Sequence, residues 1–144
     1  MVTLSDDILI TNKMEKLMQI DYTQITQLQE EIYQNNVKAG WWTNLNTGFI
    51  KPQKDVTEIL AKLALVHSEV SEALEGVRKN LMDDKLPHRP MAEVECADAI
   101  IRLLDLGGHE GWDISGAIKE KLAYNAIRED HKIENRLTEN GKKA

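Results

Sequence analysis

DVTEILAKLALVHSEVSEALEGVRK, residues 55–79, decides the fold class. Asp55 with Glu58 three residues later is a capping-box pattern and marks a helix start. Ile59, Leu63, Val66, Val70, Ala73 and Val77 follow at steps of four and three, which predicts a helix with a sustained bundle-type apolar stripe. On a helical wheel at ~100° per residue, Glu69 and Glu72 fall on a shoulder beside that stripe, with Leu65 and Gly76. They are therefore not on the fully solvated back of the helix.

The flanking segments repeat the pattern. A loop through Asp83, Asp84, Pro87 and Pro90 leads to a helix expected over Met91–Leu106, packed through Val94, Ala97, Ile100, Ile101 and Leu104. Gly107-Gly108 is expected to stop it. Asp113 then caps a helix expected over Ile114–Arg136. Upstream, Ile25, Leu28 and Ile32 predict a helix over Tyr22–Val37, ended by Gly40. A loop rich in Asn, Thr and Gly runs from Trp41 to Pro52. Four helices and almost no strand make the chain all-α. The division expected is an N-terminal extension over residues 1–20, a helical domain over 21–136 and a polar tail over 137–144. In the extension, Leu9, Ile10, Met14, Leu17 and Met18 either dock as an extra helix or fray; the tail from Thr138 is expected to be mobile.

Composition narrows the function classes. At 144 residues the chain fits one domain of ordinary size. A net charge of −6 argues against a general binder of nucleic acid or anionic membrane, since both need basic patches. No apolar run approaches the ~20 residues of a membrane span. Asp6 and Asp7 stand where a secretory signal carries positive charge, and the lone Cys96 fits a reducing cytosol. A cytoplasmic location is expected, with Cys96 as a packed thiol.

Two acidic repeats carry the chemistry. Glu69-x-x-Glu72 and Glu95-x-x-Asp98 each place two carboxylates three residues apart on one helix surface. Four acids on two facing helices repel one another unless a cation sits between them, and Mg²⁺ is the hard cation such oxygen clusters usually hold. The bland alternative is surface acids, with Arg102 pairing Asp98 at i,i+4. On the last helix, the face of Ile114, Ile118 and Leu122 hands over to Lys121, Asn125 and Arg128, whose two cations suit phosphate, or else to a solvated helix end. Trp41 and Trp42, beside Asn35, Asn36 and Asn44, could stack on a base while an amide reads its edge. Core or subunit-interface packing is the commoner fate of Trp, and is expected for at least one of them. His67, His88, His109 and His131 show no zinc-ligand spacing. A di-iron bundle would need Glu-x-x-His pairs, which the chain lacks.

Taken in order, Trp41-Trp42-Thr43-Asn44, His67-Ser-Glu69-Val-Ser-Glu72-Ala-Leu-Glu75, Glu95-Cys-Ala-Asp98-Ala-Ile-Ile-Arg102 and Lys121-Leu-Ala-Tyr-Asn125-Ala-Ile-Arg128 resemble the MazG-like nucleoside triphosphate pyrophosphohydrolases. These belong to the all-α NTP pyrophosphatase superfamily, which includes the dimeric dUTPases. The resemblance covers roughly residues 25–134. It implies a four-helix bundle assembled as a dimer or dimer of dimers, that is, a homodimer or homotetramer. It further implies Mg²⁺, with Mn²⁺ as a substitute, held by Glu69, Glu72, Glu95 and Asp98. The implied reaction is hydrolysis of a (deoxy)nucleoside triphosphate to monophosphate and pyrophosphate. Lys121, Asn125 and Arg128 would hold phosphate, and Asn36, Trp41 and Trp42 would line the base pocket.

The short single-domain form leans towards purine-preferring (dGTP/GTP) or broad relatives, the phage MazZ-type among them. A dUTPase-type pyrophosphatase and a non-catalytic helical oligomerisation or regulatory module stand as alternatives. One position departs from many family sequences, which carry a further Glu before the first motif acid where this chain has Ser68. The number of metal ions and the identity of the water-orienting carboxylate stay open. Lys51 and Lys54 are the next candidates for phosphate.

Overall fold

The computed structural model describes residues 4–128 and 132–138, and those residues are mostly helical with no strand. Six helices follow in order: α1 (Leu4–Met18), α2 (Thr23–Lys38), α3 (Val56–Lys79), α4 (Met91–Glu110), α5 (Ile114–Ile127) and α6 (Ile133–Arg136). None of the described helices is long and apolar enough to cross a membrane. The chain divides into two compact units, one of residues 27–112 and one of residues 1–26 with 113–144.

In the first unit α3 and α4 form an antiparallel pair. Asp55 caps α3 by accepting from the backbone N–H groups of Thr57 and Glu58, as its position in the sequence requires. The Glu58 side chain is engaged elsewhere, by Lys51 at 2.9 Å. α3 ends at Asn80, whose φ of 52° places it in the left-handed region that Asn tolerates. Between the helices Asp83 is buried, and its carboxylate organises the loop by accepting from the N–H of Lys85 and Leu86.

α4 runs four residues past its expected end. Gly107 and Gly108 are helical, and the left-handed Gly111 (φ 68°) stops the helix. Gly108 has a packing reason: a Cβ there would stand 2.5 Å from the Cβ of Tyr33, so only glycine lets α4 approach α2 so closely. Packing outweighs the low helix propensity of glycine here.

Trp42 is the centre of the core, 0% exposed. One face stacks on the buried His109 ring at 3.7 Å, and Lys62 Nζ lies 4.2 Å over its ring. Its indole Nε1 donates to Asp105 at 2.8 Å. Tyr33 meets both rings edge-on.

The α3 stripe is only partly covered within the chain. Ala73 is buried and Ile59, Leu63 and Val66 are half-buried, but Val70 and Val77 are exposed. α3 meets α4 through the shoulder that carries Glu69, Ala73 and Gly76, all buried. The result is a run of exposed apolar side chains along α3 (Val56, Leu60, Val70, Leu74, Val77), with Ile100 and Leu103 exposed on α4. Cys96 is also exposed, against the expectation of a packed thiol, because α4 turns that strip outward.

In the second unit α1 is a helix packed on α5, so the N-terminal segment docks within its unit. Ser115 Oγ donates to the Tyr22 carbonyl at 2.6 Å, and Asp113 caps α5 by accepting from Gly116 N–H. The single helix expected over Ile114–Arg136 is interrupted. α5 ends at Ile127, Arg128 is extended (ψ 127°), and the short α6 follows. Residues 129–131, and the expected mobile tail beyond Thr138, lie outside the described residues.

Candidate metal centre

The shoulder that joins α3 to α4 is where the acids meet. Glu69 and Glu95 are 5% and 7% exposed, and Asp98 is half-buried. One carboxylate oxygen of each lies within 4.8 Å of the others. Glu72 is exposed at the rim, close enough for its charge to act on Glu95. Three of the four sequence-predicted ligands thus converge on a point, and the fourth borders it.

Two things relieve the repulsion. Arg102 Nε donates to Glu69 Oε1 at 2.6 Å, across the helix pair, instead of to Asp98 on its own helix. The second is a proton on Glu95, whose pKa is raised from 4.5 to about 7. Burial is the largest cause, followed by a hydrogen bond with Glu69 and then by the charges of Glu72, Glu69 and Asp98. The donor set is all oxygen and tightly grouped, which fits a hard divalent cation.

A pH dependence follows with a definite sign. Between pH ~4.5 and ~7 the folded, metal-free chain keeps a Glu95 proton that the unfolded chain releases, so its stability falls as pH rises through that window. The rise in pKa corresponds to about 3 kcal/mol at full weight, and solvent at the exposed rim lowers the expected effect to ~1–2 kcal/mol. A divalent cation held by these acids would have to displace that proton, so its affinity would climb with pH up to about 7 and then level. Melts of chelator-treated protein at pH 5.5 and 8, with and without Mg²⁺, check this. A metal-free protein that gains stability over the window, with Glu95→Gln making no difference, contradicts it.

Next to the acids is a cavity of about 300 Å³ lined by Asn36, Trp41, Lys62, Leu65, Asp98, Ile101, Arg102 and Asp105. Asn36 and Trp41, two of the sequence-predicted base-pocket residues, are thus on one cavity with the metal candidate Asp98. Trp41 is 67% exposed and offers a free aromatic surface. Trp42 does not: both its faces are covered, and it belongs to the core rather than to a base pocket. Lys62 and Asp105 were missed in the sequence. Both continue strips already singled out, Lys62 two helical turns before Glu69 and Asp105 two turns after Asp98.

Lys121, Asn125 and Arg128 belong to the other unit. Lys121 and Arg128 lie near the Tyr124 ring, 4.8 and 5.7 Å from its centroid. Asn125 and Arg128 line a second cavity of about 220 Å³ with Leu9, Ile10, Lys13 and Lys132. Of the fallback cations, Lys51 is paired with Glu58, while the Lys54 N–H donates to Glu110 Oε2 at 2.8 Å.

Compared with known proteins, the chain matches no family model, no curated protein and no solved structure.

Proposed function

We propose that the protein is a Mg²⁺-dependent nucleoside triphosphate pyrophosphohydrolase of the MazG-like kind, with Mn²⁺ as a substitute metal. The observation that carries this is a buried carboxylate cluster opening onto a cavity with two cations and an exposed Trp. Phosphoryl transfer asks a protein mainly for positioning and charge neutralisation. Glu69, Glu95 and Asp98, with Glu72 at the rim, would hold the metal, which when bound polarises phosphate and water as a Lewis acid. A water oriented by a carboxylate attacks the α-phosphorus. The bond from that phosphorus to the bridging oxygen breaks, and pyrophosphate leaves with the bridging oxygen. Trp41 and Asn36 take the base. The expected range is purine-preferring (dGTP/GTP) or broad. Lys121, Asn125 and Arg128 enter as phosphate ligands through the family resemblance.

The exposed apolar run on α3 and α4 favours a homodimer, or a dimer of dimers, in which paired hairpins complete a four-helix bundle. A strictly monomeric mass across micromolar dilutions would rule that out.

The deciding experiment is a panel of the eight common NTPs and dNTPs together with dUTP, each with Mg²⁺, scored for monophosphate and pyrophosphate. Expected is release of both in equal amounts from at least one purine substrate, abolished by chelator. Turnover of dUTP alone selects the dUTPase type. No turnover of any of them leaves the oligomerisation module.

A further inference from the structure

Lys62 has an unusual situation for a lysine. It projects from α3 on nearly the same strip as Glu69, half-buried, with its ammonium over the Trp42 ring. No acid forms an ion pair with it among the described residues; Asp105 and Glu58 act on it only from further off. Burial lowers its pKa and those two charges offset part of the effect, so the site bears the cost of a cation that no protein anion matches at close range. Its head group borders the cavity that Arg102 borders too. The bond to Glu69 uses Arg102 Nε, which leaves the terminal nitrogens of the guanidinium for a second partner that offers two oxygens. The acids begin on the same cavity, at Asp98.

We propose that Lys62 and Arg102 grip the polyphosphate chain of the substrate in this cavity, Lys62 as a point charge and Arg102 as a two-pronged donor. This adds two phosphate ligands, beside those that the resemblance implies, to the hydrolase function proposed above and rests on it. It places the grip in the unit that also holds the acids, without recourse to α5. Phosphate is the ligand chemistry that suits the pair, because an anion between them compensates Lys62 while its partner atoms meet the metal side.

The test is calorimetric binding of a triphosphate whose α–β bridge is a methylene group, in the presence of Mg²⁺. It is compared with the corresponding nucleoside, and Mn²⁺ binding is measured without nucleotide. Lys62→Met keeps the apolar stem against Trp42 and removes the charge. It should weaken triphosphate binding by ~10-fold or more, raise KM more than it lowers kcat, and leave nucleoside and Mn²⁺ binding within about twofold. Lys62→Arg should recover most of the loss.

Triphosphate affinity unchanged in Lys62→Met, in a preparation whose wild type hydrolyses the substrate, overturns the assignment while sparing the hydrolase. Lys62→Arg as impaired as Lys62→Met also overturns it, since the role would then be packing. Should wild type neither bind nor hydrolyse any triphosphate, the hydrolase itself has failed.

Discussion

Glu95→Gln is expected to yield a folded protein whose triphosphate hydrolysis is nearly lost. The fall should exceed the roughly 10–100-fold that removal of a metal's outer partner costs, because Glu95 would touch the ion itself. Glu95 is 7% exposed and hydrogen-bonded with Glu69, so the isosteric amide fits the same space and still donates. It also removes one charge from a like-charged group. At pH 8 the metal-free variant should therefore be more stable than wild type by ~1–2 kcal/mol, and at pH 5, where Glu95 is already protonated, about equal. Glu72→Gln should also lose most activity, with a smaller gain in stability, since Glu72 is exposed. Urea titrations at the two pH values, beside steady-state kinetics with Mg²⁺, separate these effects. Normal turnover by folded Glu95→Gln protein would remove the metal centre from consideration.

Trp42→Ala is the change expected to damage the fold most. The fully buried ring stacks on His109, meets Tyr33 edge-on and supports Lys62. Truncating a buried Trp leaves a cavity worth ~3–5 kcal/mol. It also strips the buried Asp105 carboxylate of its 2.8 Å donor, adding on the order of 1–3 kcal/mol. Trp42→Phe should recover the packing share and not the hydrogen bond. Trp41→Ala, one residue away, should change stability by no more than ~0.5 kcal/mol, because its ring is exposed. Its cost should appear in nucleotide affinity. Equal destabilisation by the two alanine variants in urea titration would contradict this division.

What the sequence made legible was local. Periodicity placed α2, α3 and α4 within a few residues of their observed starts, and Asp55 and Asp113 cap as expected. Periodicity could not say which part of the α3 stripe would be covered. Val70 and Val77 are exposed because α4 packs on the neighbouring shoulder of small residues. The glycine pair in α4 looked like a stop because propensity is local, whereas the demand for Gly108 comes from Tyr33, far off in sequence. The acids were readable because two short motifs repeat a spacing that places them on one surface. The partner of Arg102 was not, since choosing Glu69 over Asp98 depends on how two helices meet. Nothing in the spacing of His109 announces the stack on Trp42.

The neighbours Trp41 and Trp42 also give the protein two built-in optical reporters of opposite kind. Trp42 is sealed from water against an imidazole, so its emission should be blue-shifted and should change when the core opens. Trp41 stands in solvent on the wall of the cavity, so its emission should be red-shifted and accessible to iodide. With the exposed third tryptophan, Trp112, replaced by Phe, a purine stacked on Trp41 would quench the red component and shield it from iodide while leaving the blue one untouched. One spectrum would then separate a chain that has bound nucleotide from one that has begun to unfold.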